Sequence, residues 1–558
     1  MTRSCFLVAT ILTGLLWLAA AAGARAEQIA VPRVDEMPNL PQPFVMKDWR
    51  ATARAYDRVA FDLHAKGEFL PLVWLDEGRV NIDRTGFGLQ TYVGTPHVGG
   101  GRHEAINCIA AVLGATLAGV DKTAGPHNWV LMCEQYFNRA GGRNLVLNST
   151  RAGTGGSFWY EIWPSVLFFA LADRHPGAGE METICRTVAD RWCEAVSAMR
   201  AGGDVPDFNH SAFNFRAMKA VDHGQRREPD AAAGVAWLEV MAYAKWKDPK
   251  HLEAAEACLR FLERRGPKAN PYYEVLLPWG ALAAARMNAE LGRTCDVPRF
   301  VNWCFDGRDT PRGTWGVIAD RWGDYDCHGL VGSLADGGGY AFAMNTFAQA
   351  GALVPLVRYD DRFARAIGKY VLNAATAARL FYPDALPADH QSSTFWKGDP
   401  KHVIAYEGLR KTWKGVSPYA GGDPTTHNWG PRTDLGLYGS SHVGFFGSII
   451  SQTNDEAILR LDCLATDFFR AAAYPTYLYY NPHADARTVT IDVGPEPRDL
   501  YDAATNRFLA RGARGTVGFK VSADSAVLLV LTPAGGKVNR EGQRMLIDGV
   551  VVDYAGAE

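Results

Sequence analysis

Helix follows helix along most of this chain, and several are apolar around more than one stripe. That feature limits the possible folds more than any other. Ala231 to Trp246 is the clearest case, with almost no polar face. Helical periodicity starts at Asp48 to Lys66, where Trp49, Ala53, Tyr56, Ala60 and Leu63 recur at steps of four and three. It predicts further helices over 102–118, 127–138, 161–173, 179–200, 229–246, 250–264, 271–290, 296–304, 338–356, 361–380 and 454–470. A helix apolar on two sides must be covered on two sides. About a dozen loosely paired helices of this kind fit helical hairpins set in a closed ring. No repeat of fixed period is present, which argues against an open solenoid.

The pattern changes after Tyr474. Tyr477–Tyr480, Thr488–Val493, Thr516–Val521 and Ala526–Leu531 alternate or run apolar, with β-branched residues between Gly, Pro, Asn and Asp breaks. A further hairpin is expected within Val538–Tyr554. These strands predict a small β-sandwich of roughly 80 residues. At the other end, Arg3, the apolar run Phe6 to Ala22 and the small-x-small ending Ala24-Arg25-Ala26 read as a signal peptide cleaved after Ala26. The expected organisation is a signal peptide over 1–26, a mainly α domain over 27–473 and a β domain over 474–558. A secreted or periplasmic location follows. No later stretch is apolar enough for long enough to span a bilayer, so no stable membrane insertion is expected after cleavage.

Charge narrows the function classes. Lys and Arg number 58 against 60 Asp and Glu, a formal charge of -2. That balance argues against nucleic acid as a partner. Aromatic residues are abundant, with 16 Trp, 21 Tyr and 26 Phe, many of them beside Asp, Glu, His or Gly. Sugars present apolar ring faces edged by hydroxyls, and aromatic faces near carboxylates suit them, so a carbohydrate is the expected partner. The ten Cys include no C-x-x-C pair and form no metal-like cluster. They read as buried thiols, with Cys295 and Cys304 the nearest plausible bridge. No metal and no cofactor are expected.

Three stretches could carry chemistry. Glu161 lies among Trp159, Tyr160 and Trp163, where desolvation would raise its pKa and suit it to act as a general acid. A first-turn Glu that merely stabilises a helix fits the same residues. Arg321 to Phe347 crowds Asp324, Tyr325, Asp326, His328 and Asp336 into a glycine-broken segment before an apolar helix. Asp324 or Asp326 could polarise a water as the base, with Trp322, Tyr325 and His328 contacting sugar. Asp336 could equally cap the next helix. Val205 to Phe215 offers Asp207, Asn209 and His210 as sugar contacts. His103, Glu104, Glu407 and His442 stand in polar or Gly-rich segments that meet apolar ones, and are expected at the same mouth.

The order of elements resembles that of six-hairpin, (α/α)6 glycoside hydrolases and polysaccharide lyases. Asp499 to Asp502 with Ser525 to Leu531 looks like the trailing β domain of many bacterial glycosidases. The resemblance implies a mainly α fold, an (α/α)6-type toroid of helical hairpins followed by a small C-terminal β-sandwich. It implies a hydrolase acting by general acid/base catalysis with inversion, in which the residues' own contexts would make Glu161 the donor and Asp326 or Asp324 the base. It also leaves a lyase open, because Asn-His pairs occur in some toroidal alginate lyases. Asn209, His210, Tyr325 and Arg216 would then neutralise a uronate and remove its α-proton. A non-catalytic glycan-binding protein is the third reading.

Overall fold

The computed structural model describes residues 27–95, 103–224, 226–308, 310–396, 401–428 and 433–556. The expected signal peptide lies outside the described residues, as do Gly99 to Gly101 and Arg102. The protein is rich in helix, and its C-terminal region is built of sheet.

Of the fifteen α-helices among the described residues, twelve organise the body: α1 Trp49–Ala60, α2 Ala105–Leu117, α3 Phe158–Arg174, α4 Met181–Met199, α5 Ala231–Trp246, α6 Pro249–Arg264, α7 Leu276–Leu291, α8 Val297–Asp306, α9 Ala343–Leu356, α10 Ala364–Ala377, α11 Leu437–Ser441 and α12 Val443–Ile449. Their ends are written in the sequence. Asp48 caps α1 by accepting from the Ala51 amide, and Asp296 caps α8 through that of Arg299. Gly292 and Gly307 take left-handed backbone and end α7 and α8.

Two kinds of helix result. In α9 all fourteen residues are buried, and in α5 every residue from Ala231 to Ala242 is. By contrast α4 and α6 bury a single stripe and expose the other side. The fully buried helices touch one another in sequence. α2 packs on α3, α3 on α5, α5 on α7, α7 on α9, α9 on α12, and α12 returns to α2. The one-stripe helices cover that cycle from outside: α4 lies on α3 and α5, α6 on α5, and α8 on α7. The cycle closes where two glycines meet. A Cβ on Gly444 would stand 2.2 Å from the Gly114 Cα.

The C-terminal strands form a six-stranded antiparallel sheet in the order Ile450–Ser451, Arg460–Asp462, Thr476–Asn481, Ser525–Pro533, Arg498–Asp502, Arg507–Ala513. A separate pair, Arg487–Asp492 with Thr516–Val521, lies across one face. Alternation assigns the side chains. Tyr479, Val527, Leu529 and Leu531 form a small core with Val489, Ile491, Phe519 and Val521. Their neighbours Leu478, Tyr480, Leu528 and Val530 point the other way, into the main core. The strand Ser525–Pro533 is therefore buried on both faces, which explains its unbroken apolar run.

The structure departs from the sequence-based expectation in several places, among them the helices α11 and α12, which the sequence pattern did not predict. Residues 454–470 are not a helix but turns around a short strand. There Asp455 and Asp462 accept backbone amides two residues on, and Arg286 of α7 takes the Phe468 carbonyl at 2.9 Å. Residues 127–138 shorten to Trp129–Met132 and a 3-10 turn. α9 begins only at Ala343, after a strand Tyr340–Phe342 that pairs with Gly408–Arg410. All nine cysteines of the described residues are free thiols, so Cys295 and Cys304 form no bridge.

Candidate active site

The buried helices bring their N-terminal ends to one cleft of about 2430 Å3. Glu104 directly precedes α2, Glu161 sits in the first turn of α3, Glu228 precedes α5 by three residues and Glu274 precedes α7 by two. A helix N-terminus carries partial positive charge, so carboxylates are favoured there. Glu407 joins them from the strand Gly408–Arg410 side, and Tyr438 from α11. Among its described lining residues the cleft holds nine carboxylates and three arginines, Arg151, Arg226 and Arg312.

Each carboxylate is held differently. Glu407 is buried and accepts from Tyr92 Oη at 2.5 Å, Tyr340 Oη at 2.9 Å, the Asp423 amide at 2.6 Å and Tyr438 Oη. Desolvation pushes it up to about 7, aided by the charge of Asp423 and opposed by the tyrosine hydroxyls. Glu228 accepts from Arg312 Nη1 at 2.7 Å, the Trp159 amide at 2.9 Å and Ser157 Oγ at 2.9 Å. Burial raises it too, against those partners. Glu104, partly exposed, accepts one bond on each oxygen, from Thr91 Oγ1 and Asn148 Nδ2, both at 2.7 Å. Desolvation raises it.

Glu274 stands apart. It is partly open to the cleft, and its backbone adopts φ +62°, unusual for a residue with a Cβ. Asn345 Nδ2 donates to Oε2 at 3.1 Å. Desolvation brings its carboxyl to about 7, with Asn345, Tyr273 and Arg312 opposing. Beside it Arg312 stacks on Tyr273, 3.9 Å from the ring centre.

Tyr160 is the aromatic residue these groups share. Its side chain is 44% exposed in a chain whose large apolar residues are otherwise almost all covered. Desolvation by the cleft walls raises its hydroxyl pKa first, and the charges of Glu104, Glu274, Glu228 and Glu407 raise it further. A half-exposed ring in the combined field of four carboxylates, each with a raised pKa, is an arrangement for binding a polar ring and moving protons around it.

The residues expected from the sequence are divided by the structure. His103, Glu104, Trp159, Glu161, Asp336 and Glu407 line the cleft. Glu161 is fully buried, and burial carries it to about 8. Both its oxygens are taken by backbone amides, from Gly155 at 2.6 Å, Gly156 at 3.2 Å and Phe213 at 3.1 Å. It ties a loop and the strand Ala212–Asn214 to the start of α3. Asp336 pairs with Arg410 at 3.4 Å.

Asp324, Asp326, Trp322, Tyr325 and His328 are not among the cleft's lining residues, so the expected pairing of Glu161 with Asp324 or Asp326 is not assembled. They form or flank a hairpin, Arg321–Trp322 with Tyr325–Asp326. Asp326 holds His328 Nδ1 at 2.6 Å and the Gln42 amide at 3.4 Å. Burial pushes Asp326 up, yet His328 keeps it below the usual carboxylate range. Trp322 is buried, and Tyr325 packs against His390. The residues suggested for a lyase are equally dispersed. His210 faces Asp222 at 3.2 Å with Asp207 3.8 Å away, Asn209 accepts from Arg265 at 2.5 Å, and Asn209, His210, Arg216 and Tyr325 are absent from the cleft wall. Trp163 and His442 stack in the core beneath, with Trp163 Nε1 donating to His442 Nε2 at 3.2 Å. Burial lowers His442 to about 4, which keeps the ring neutral as that contact requires.

Sequence reasoning missed Glu228, Glu274, Tyr160 and Arg312. A signal was present: Glu228 and Glu274, like Glu104, stand one to three residues before a helix that is apolar all round.

No protein-family profile matches the chain, and no curated protein does. Among solved structures, a D-mannose isomerase aligns over 73% of this chain and 98% of its own, at 9% identity and TM-score 0.41. A metagenome-derived glycoside hydrolase family 9 endoglucanase aligns over 72% and 80%, at 12% identity and TM-score 0.38. An Anoxybacillus α-amylase aligns over 19% of this chain and 24% of its own, at 17% identity and TM-score 0.13. At such TM-scores the alignments carry no weight for chemistry, which rests on the residues of the cleft.

Proposed function

We propose that this chain is an exported carbohydrate-active enzyme, a glycoside hydrolase that cleaves a poly- or oligosaccharide by general acid/base catalysis. The scaffold is an (α/α)6-type toroid carrying a C-terminal β-sandwich. The closed cycle of buried helices and the small core between the two C-terminal sheet faces support that reading. The observation that carries the function is Tyr160, half exposed amid four carboxylates of raised pKa. Single small ligands occupy roughly 300–1,000 Å3. A cleft of about 2430 Å3 has room for several sugar units.

In this mechanism a sugar ring lies on the face of Tyr160. Glu274, protonated up to about pH 7, gives its proton to the glycosidic oxygen. Glu104, fixed by Thr91 and Asn148, draws the proton from an attacking water. Glu228, Arg312 and Glu407 hold the surrounding wall in place. Inversion at the anomeric carbon is the proposed outcome, and it requires the two carboxyls to stand roughly 6.5–9.5 Å apart with a water between.

The test is a panel of neutral polysaccharides assayed for new reducing ends, with Glu274→Gln, Glu104→Gln and Glu161→Gln compared. Loss of turnover in the first two with native melting supports the assignment. Full activity in Glu274→Gln removes it. Proton NMR of the first-formed anomer decides inversion.

A further inference from the structure

Away from the cleft, three helices bring a thiol, an imidazole and a carboxylate together. Cys193 of α4, Glu239 of α5 and His251 of α6 have ligand atoms all within 4.8 Å of one another. Cys193 Sγ lies 3.3 Å from Glu239 Oε2 and 3.5 Å from His251 Nδ1, and that nitrogen lies 2.7 Å from the same carboxylate oxygen. We propose that these three side chains form a binding site for a zinc-like divalent transition metal, which locks the outer helices α4 and α6 onto α5.

Four features support this. The donor set is of the kind zinc takes: one sulfur, one imidazole nitrogen, one carboxylate oxygen. Bond lengths of about 2.3 Å to sulfur and 2.0–2.1 Å to nitrogen or oxygen put tetrahedral ligand atoms roughly 3.3–3.6 Å apart. Two of the three separations already match, and the third, at 2.7 Å, is a hydrogen bond that would have to open by roughly 0.6 Å. Next, Glu239 and His251 are wholly buried, and Glu239 Oε1 and His251 Nε2 have no hydrogen-bond partner. A buried carboxylate without a cation is costly, and a bound metal supplies the cation. In the apo form burial instead pushes Glu239 up to about 7. Third, a carboxylate faces the far side of the imidazole: Asp190 Oδ1 stands 3.7 Å from Nε2, too long for a hydrogen bond as it stands and placed to close into one once Nε2 carries a proton. A carboxylate at the far nitrogen presents the near one to a metal and raises its basicity. Finally, Cys193 is only partly buried, which leaves an entry path.

Binding is balanced simply. The ion takes His251 Nδ1 and Glu239 Oε2, the proton those two atoms share in the metal-free protein leaves for His251 Nε2 or solvent, and the Cys193 thiol becomes a thiolate by releasing its proton to solvent. A water completes the fourth position. Sequence could not reveal the site, because the spacing 193, 239, 251 matches no zinc motif.

The experiment uses the full chain, stripped by chelator and titrated with Co2+ and then Zn2+. One equivalent of Co2+ should bind and give the near-ultraviolet thiolate-to-cobalt absorption, which Zn2+ then displaces. Cys193→Ser should abolish that absorption while the far-ultraviolet dichroism stays native. Asp190→Asn should weaken binding roughly ten-fold without abolishing it. Zn2+ should raise the melting temperature of the wild type and not of Cys193→Ser. Wild-type protein that binds no Co2+, binds it without thiolate absorption, or binds it equally after Cys193→Ser overturns the proposal. The cobalt spectrum does not depend on turnover, so it separates this site from the cleft.

Discussion

Glu274 holds a carboxyl at left-handed backbone, a conformation that costs a non-glycine residue about 1–3 kcal/mol and persists only where its surroundings enforce it. Glu274→Gln keeps the size and the Asn345 contact but cannot donate. Turnover should fall roughly 10²–10⁴-fold with the melting temperature nearly unchanged, as steady-state kinetics and calorimetry would show. The pH dependence has a definite sign. The native carboxyl is raised from 4.5 to about 7, so it holds its proton where the unfolded chain has lost it. Its contribution to stability is full below the unfolded value and is lost as pH rises through about 7. The activity limb falls over the same range, because the donor form disappears. Tyr160 separates in the same assays. Tyr160→Ala should raise KM about ten-fold, the loss of one stacked ring, while Tyr160→Phe should stay near wild type. Unchanged KM in the alanine variant would show that the ring does not meet substrate. The sequence made six of the cleft residues visible, His103, Glu104, Asp336 and Glu407 because they lie in polar or Gly-rich stretches and Trp159 and Glu161 because a carboxylate stands among large aromatics. Glu274 and Tyr160 were passed over because an acid or an aromatic at a helix start is also an ordinary feature of packing. The opposite error placed Asp326 in the site, although its carboxylate serves His328 and the Gln42 amide.

Among the elements, α11 and α12 show why periodicity alone fell short. Their segment carries Gly436, Gly439, Gly444 and Gly447, and glycine disfavours helix by about 1 kcal/mol per residue. The pattern therefore reads as loop. Packing reverses the preference, since only a residue without a side chain fits where these helices meet their neighbours. A Cβ on Gly444 would stand 2.2 Å from Gly114 Cα and 2.4 Å from its carbonyl oxygen, and one on Gly447 would stand 3.0 Å from the Trp49 carbonyl. Backbone faces backbone at Gly444, and no flexible side chain can give way. Gly444→Ala, a gain in intrinsic helix propensity, should nevertheless destabilise the protein by about 1–3 kcal/mol or more, read from denaturant midpoints. A stabilised variant would mean that the cycle of helices does not close through this contact. The long helices were legible for the complementary reason. Apolar residues on every side of α5 and α9 require cover on every side, and few arrangements of helices provide it.

At the scale of the whole molecule two properties come from how the parts are combined. The C-terminal sheet is not an independent attachment. Leu478, Tyr480, Leu528 and Val530 enter the main core, and a Cβ on Gly368 of α10 would stand 2.5 Å from Tyr480. Ending the chain at residue 473 should strip apolar cover from α10 and give aggregated protein, where a soluble, active fragment would show the two parts to be separable. The second property is charge. The chain as a whole is nearly balanced at -2, yet nine carboxylates and three arginines line the cleft. That imbalance was invisible in the composition and arises in part because the buried helices point the ends that carry Glu104, Glu161, Glu228 and Glu274 the same way. A uronate polymer entering the cleft would meet like charge at low effective dielectric. Lyases must stabilise the extra negative charge that forms when the α-proton leaves, and the cleft wall offers carboxyl groups with few cations for that purpose. Neutral glycans escape both costs. Supplied with matched neutral and uronate oligosaccharides, the protein should cleave the neutral set, yield no ultraviolet-absorbing unsaturated ends, and respond little to added salt. Cleavage of the uronates with an unsaturated product would instead place the chemistry with elimination, and Arg312 beside Glu274 would then be the residue to examine first.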